Sequence, residues 1–175
     1  TKTITATPDA GYLFTGFTGD VTSSVNPLTV ALNSSLITIN ANFIELPIYV
    51  DVNASGNNDG SSWANAYTNL HDAIDEAGSG TQTIWVAKGT YKPTRLVIAN
   101  NTDVRFLGNE MSLDARDSKL NATILSGDLN GDDSAIITDV ETTRQDNAYH
   151  VVSIKGNFAD GGFIDGFTIT GGNSN

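Results

Sequence analysis

The sequence predicts an all-β chain, most of it wound as the first coils of a right-handed parallel β-helix with an N-terminal capping α-helix, preceded by a small antiparallel β module. Three observations predict it. Short β-type segments recur at 83–87, 95–99, 103–107, 122–125, 148–154 and 163–170, with Gly89, Gly108, Gly127, Gly156 and Gly171 near their ends. Only one stretch carries helical periodicity. The last segment, Gly162-Phe163-Ile164-Asp165-Gly166-Phe167-Thr168-Ile169-Thr170-Gly171-Gly172-Asn173, reads as a strand, a glycine turn, a second strand and a corner. Parallel coils stack such strands about 4.8 Å apart and bury alternate side chains. A coil ending on a fresh rung predicts a truncated piece of a longer solenoid.

Composition narrows the function. The chain has 175 residues, a net charge of -11 and 39% hydrophobic residues. An acidic surface repels phosphates, so no nucleic-acid partner is expected. No apolar run approaches the roughly 18 residues of a membrane span, so no membrane insertion is expected in this segment. There is no cysteine, so disulfides play no part. Heavy use of Gly, Asn, Asp, Thr and Ser suits an extracellular or cell-surface all-β protein. The opening Thr1-Lys2-Thr3-Ile4 has no signal-peptide pattern, which places any secretion signal upstream. Glycosylation triplets at Asn33, Asn53, Asn100 and Asn121 are what chance supplies in so Asn- and Thr-rich a chain.

Residues 1–46 are expected to form one unit of half-buried antiparallel strands. Thr3-Ile4-Thr5-Ala6-Thr7 alternates, Pro8-Asp9-Ala10-Gly11 turns, and Tyr12-Leu13-Phe14-Thr15-Gly16-Phe17 returns. Asn26-Pro27 marks a turn before Leu28-Thr29-Val30, and Ile37, Ile39, Ala41 and Phe43 alternate with Thr38, Asn40 and Asn42. The segments Thr5-Ala6-Thr7-Pro8, Ala10 to Phe17, Gly19-Asp20, Asn26 to Val30 and Ile39-Asn40-Ala41-Asn42-Phe43 resemble the C-terminal part of the bacterial surface repeat related to internalin B-repeats. Phe17 stands where that pattern usually has Trp, and the opening strands of the repeat are missing. The resemblance implies a β-grasp-like spacer or adhesive module without catalysis.

The second unit, 47–175, opens with Ile48-Tyr49-Val50-Asp51-Val52 and a loop at Asn57-Asn58-Asp59-Gly60-Ser61-Ser62. The helix follows over about 68–77, with Leu70, Ala73, Ile74 and Ala77 on one face and Asp72, Asp75 and Glu76 outward. Thr68 or Asn69 supplies the N-cap, and Gly78 or Gly80 the stop. An amphipathic helix laid over the raw end of a coil removes apolar surface from water and blocks edge pairing. Tyr49-Val50-Asp51, Asn58 to Trp63, Leu70…Ala73-Ile74, Ile84 to Tyr91, Thr123 to Asp128, Asn147 to Val152 and Ile164 to Asn173 together resemble the N-terminal part of the pectate-lyase-like parallel β-helix family of large bacterial surface proteins. The resemblance implies the fold. It implies no single activity, since that fold serves lyases, hydrolases and adhesins alike.

The sharpest local motif is Asp128-Leu129-Asn130-Gly131-Asp132-Asp133-Ser134-Ala135-Ile136-Ile137-Thr138-Asp139. Asp128, Asn130, Asp132 and Asp139 supply oxygens at positions 1, 3, 5 and 12 of a Ca²⁺ loop, and Ser134 a backbone carbonyl at position 7. Asp133 replaces the glycine usual at position 6. The competing reading is an acidic, solvated insertion between rungs. No catalytic residue is assigned. Arg105 and Lys88 suit a solvated surface, and His71 and His150 have no ligand-like spacing. Trp63, Trp85, Tyr67 and Tyr91 are expected to fill the junction of helix and coil, while Asn173 is a candidate first step of an asparagine ladder. The expected function is structural or adhesive, with polysaccharide or a surface protein as partner and assembly through the open coil end as a further option. The alternative is the N-terminal part of a polysaccharide lyase or glycoside hydrolase with its active site on later coils.

Overall fold

The computed structural model describes residues 1–9, 11–32, 36–78, 82–98, 103–108, 117–136, 142–155 and 163–173. The chain divides into two compact units, Thr1–Leu46 and Pro47–Asn175. Among the described residues it is mostly β with one short helix. Among the described residues no helix is long and apolar enough to cross a membrane.

The first unit contains β1 (Lys2–Ile4), β2 (Tyr12–Gly19), β3 (Leu28–Val30) and β4 (Ile39–Glu45). β1 pairs with β3 and β2 with β4, both antiparallel. In β3 the alternation is simple: Leu28 and Val30 are buried and Thr29 faces water. The core collects Ala6, Phe17, Leu28 and Val30, with Phe14 against Phe17 at a ring separation of 4.8 Å. The side-chain amide of Asn26 ties the first segment down, donating to the Ala6 carbonyl at 2.6 Å and accepting from its N–H at 3.0 Å.

The alternation expected through Ala41 and Phe43 fails. Ile37 and Ile39 are half-buried, but Ala41 and Phe43 are exposed and Asn42 is half-buried. A bulge between Phe14 and Gly16 shifts the register, so that both Phe14 and Phe17 reach the core from β2. The extra residue changes facing along β2 alone: Phe43 and Ala41 still pair with Phe14 and Phe17, yet are left exposed. Asn42 donates its amide to the Gly16 carbonyl at 3.0 Å.

The second unit contains β5 (Ile48–Val50), α1 (Leu70–Ala77), β6 (Thr83–Ala87), β7 (Gly89–Tyr91), β8 (Leu96–Ile98), β9 (Asp103–Gly108), β10 (Thr123–Ser126), β11 (Val152–Ile154), β12 (Phe163–Asp165) and β13 (Phe167–Thr170). These strands form three ladders, ordered β12-β9-β6-β5, β13-β10-β7 and β11-β8. Every pairing in them is parallel. From β6 onward the chain visits the three ladders in fixed rotation. Stacked aliphatic positions make one core from Val50, Ile84, Val86, Leu96, Leu125 and Val151.

α1 begins where Asn69 leaves extended backbone and accepts the His71 N–H at 2.9 Å. It stops at Gly78, whose φ of 58 suits glycine and whose N–H donates to the Ile74 carbonyl at 3.1 Å. Leu70, Ala73 and Ala77 are buried and join the core, contacting β5, β6 and β8. At about 1.5–3 kcal/mol for a large aliphatic side chain, burial of Leu70 outweighs any propensity term in so short a helix.

One element differs from expectation: β7, with only Gly89, Thr90 and Tyr91, is too short for a period to announce it. The segment 163–170 is a strand, a turn at Gly166 (φ 83) and a second strand, as expected, and its halves lie in different ladders. Thr168, Ile169 and Thr170 of β13 are all exposed rather than alternating, because β13 ends its ladder among the described residues.

Candidate functional site

The acidic loop leaves β10 at its C-terminal end, where Gly127 passes so close to the end of β13 that an added Cβ would sit 2.3 Å from the Gly171 carbonyl oxygen. Asp128 then turns back on its own loop. Its Oδ1 accepts the N–H groups of Gly131 (2.5 Å) and Asp132 (3.1 Å), and its Oδ2 that of Asp133 (3.4 Å). Partial desolvation pushes the Asp128 carboxyl up, but the backbone donors and the nearby Lys92 ammonium outweigh it and hold the group below its ordinary value.

Of the residues expected to surround a cation, the fold brings Asp128 and Asp132 together and adds Asp146. One carboxylate oxygen from each of the three lies within 4.8 Å of the others. Asn130 stands between them and donates its N–H to Asp146 Oδ2 at 2.8 Å. The Ser134 carbonyl accepts from Arg144 Nη2 at 3.2 Å, and the Ser134 N–H donates to Thr143 Oγ1 at 3.1 Å. Asp139 lies outside the described residues.

Asp133 explains why position 6 of the motif is not glycine. It pairs with Arg144 Nη1 at 3.2 Å and accepts the Asn147 amide at 3.0 and 3.2 Å, clamping the loop to the 142–147 turn. That clamp delivers Asp146, which no spacing in the sequence foretells. Asn147 is buried, and among the described residues its Oδ1 has no hydrogen-bond partner. Asn173 donates to the Arg144 carbonyl at 2.9 Å, so its amide holds this same turn.

A larger cleft of about 520 Å³ lies beside the start of α1, lined by Leu70, His71, Thr90, Tyr91 and Lys92 among others. His71 Nε2 is 2.7 Å from the Arg95 carbonyl oxygen. Lys92 reaches from the cleft to the acidic loop, donating to the Leu129 carbonyl at 3.3 Å. Lys88 is exposed, as is His150, whose ring meets Tyr149 at 4.4 Å. The side chain of Arg105 lies outside the described residues. Tyr49 gathers Trp63 (4.8 Å) and Trp85 (5.6 Å) around its ring, while Tyr91 is buried. Burial pushes both tyrosine hydroxyls, Tyr49 and Tyr91, above their ordinary value.

No curated protein and no solved structure shows significant similarity to the chain. The family model of the divergent InlB B-repeat domain matches residues 1–46. Domains of that family occur in bacterial surface proteins, and the first unit is similar to them.

Proposed function

We propose that this chain is a structural or adhesive module of an extracellular bacterial surface protein, with residues 47–175 forming the opening coils of a right-handed parallel β-helix capped by α1. The observation that carries this reading is the rotation of strands through three parallel ladders, each strand stacked in register on the one a turn earlier. Such a coil gains its stiffness from backbone hydrogen bonds along its axis and presents loops sideways at every corner. The similarity of residues 1–46 to a surface repeat supports the same location. The partner in this reading is a polysaccharide or another surface protein, held without turnover.

In the same reading Ca²⁺ organises the acidic loop, taking oxygens from Asp128, Asp132 and Asp146, with Asn130 and Ser134 in the same loop. Ca²⁺ accepts six to eight oxygens in loose geometry, which suits carboxylates from a loop and a neighbouring turn. Asn147, whose amide holds Asp133 in the same loop, carries an Oδ1 with no partner among the described residues, the kind of buried acceptor that an ion or a water satisfies.

The test is incubation with a panel of neutral and acidic polysaccharides, following retention, ultraviolet absorbance and reducing ends together. Retention with neither unsaturated nor reducing ends forming is the expected result. New ends with any substrate would replace the adhesive reading by a lyase or a hydrolase.

A further inference from the structure

We infer that a small pocket on the first unit, bounded by Thr7, Asp9, Tyr12 and Phe43, receives an arginine or lysine side chain of a partner protein. The inference goes beyond the surface role and does not depend on the acidic loop. The pocket has a volume of about 290 Å³, enough for one side-chain head group. Two aromatic rings line it although neither is needed for the core: Tyr12 is 44% exposed and Phe43 40%. Phe43 is steadied from behind, since its register partner Phe14 meets it edge-on at 5.9 Å. Tyr12 is fixed by a turn in which its N–H donates to the Asp9 carbonyl at 3.1 Å, which also sets Asp9 beside the ring.

Charge selects the occupant. Glu45 is the register partner of Tyr12 on the neighbouring strand, and directly paired residues project from one face of a ribbon. Asp9 and Glu45 are both exposed, and among the described residues neither carboxylate is paired with a cation. Residues 1–46 hold a single basic side chain, Lys2, against Asp9, Asp20 and Glu45, within a chain of net charge -11. Two π faces and the Asp9 carboxylate in the lining, with Glu45 paired alongside Tyr12, attract a positive group over a neutral one. A guanidinium suits the site best, because it stacks flat on a ring while its N–H groups reach a carboxylate. A neutral sugar would use the rings and leave the carboxylates to water.

The experiment titrates the full chain with N-acetyl-arginine amide and follows the ring protons of Tyr12 and Phe43 by nuclear magnetic resonance. N-acetyl-lysine amide, the neutral isostere N-acetyl-citrulline amide, choline and methyl glucoside are run in parallel. Saturable shifts with arginine or lysine amide are expected, with citrulline about fivefold weaker. Asp9→Asn should weaken binding about threefold, and Tyr12→Leu, which keeps apolar bulk but removes the π face, by a similar factor. Unchanged Phe17 resonances verify that each variant is folded. Equal binding of citrulline, tighter binding of choline or methyl glucoside, or indifference to Asp9→Asn would each overturn the assignment.

Discussion

Thr123 and Tyr91 share one acceptor: each donates its hydroxyl to the Ala87 carbonyl, both at 3.1 Å. Thr123 begins β10, while Ala87 and Tyr91 end β6 and β7, so the shared oxygen ties strands of two ladders together inside the core. Both donors are almost fully buried, at 1% and 4% exposure. Removing one donor leaves the carbonyl satisfied by the other; removing both strands it. Thr123→Val or Tyr91→Phe alone should therefore cost about 1 kcal/mol in urea unfolding, and the pair more than the sum. Additive losses would show that the two bonds act independently.

Tyr91 also makes the second unit sensitive to base. Burial raises its hydroxyl above the ordinary value of 10.0, so the unfolded chain ionises first as pH climbs. The stability this group contributes is complete below about pH 10 and declines as the pH rises toward its folded value. Melting temperature should fall on the alkaline side, and Tyr91→Phe should flatten that limb relative to the parent. Parallel alkaline limbs in parent and variant would remove Tyr91 as the cause.

Gly127 is required by proximity rather than by backbone angle. A methyl group there would lie 2.3 Å from the Gly171 carbonyl oxygen and 2.8 Å from Val151 Cγ2. The carbonyl belongs to the backbone just past β13 and has little room to retreat. Gly127→Ala should cost more than about 2 kcal/mol, by strain rather than lost burial. At Gly78 the nearest atom of the described residues to an added Cβ is 4.0 Å away and the φ of 58 is what resists, so Gly78→Ala should cost about 1 kcal/mol. Urea midpoints of the two variants check the order.

Local rules carry much of this fold in the sequence, and the boundary of that legibility is physical. The α1 face was legible because Leu70, Ala73 and Ala77 obey a 3.6-residue period, and its start because Asn69 is a good cap. β6 was legible because Ile84 and Val86 alternate with Trp85. β7 was not, because three residues headed by a glycine hold no period. Nor was the exposure of Ala41 and Phe43 in β4, since an alternation that pairs them with Phe17 and Phe14 does not say what covers them. In the acidic loop, Asp128 and Asp132 belong to one local motif and can be read together. Asp146 arrives through Arg144 and Asn147 gripping Asp133, a tertiary event with no local trace. Glycine-punctuated short strands led to an expectation of parallel stacking, but the number of ladders and each strand's partner are set by tertiary pairing that no single segment states.

The acidic loop provides a prediction with two arms. Asp128 is held below its ordinary value by backbone donors and Lys92 against opposing desolvation, so its contribution is complete above the ordinary carboxylate range. That contribution is lost as pH falls through the ordinary range to the folded value, and Asp128→Asn should make the acid limb of the melting curve shallower. The second arm adds Ca²⁺ at neutral pH. If the ion binds only the folded loop, stability rises with concentration, by about 2.7 kcal/mol at a hundredfold excess over Kd. Asp146→Asn should weaken that response as Asp132→Asn does, since both offer an oxygen to the same 4.8 Å cluster. Calorimetry at millimolar Ca²⁺ showing no heat, together with an unchanged melting temperature, would leave Asp128 as a backbone clamp alone. The acid limb would then survive while the metal role fell, because the N–H donors of Gly131, Asp132 and Asp133 need no ion to depress its pKa.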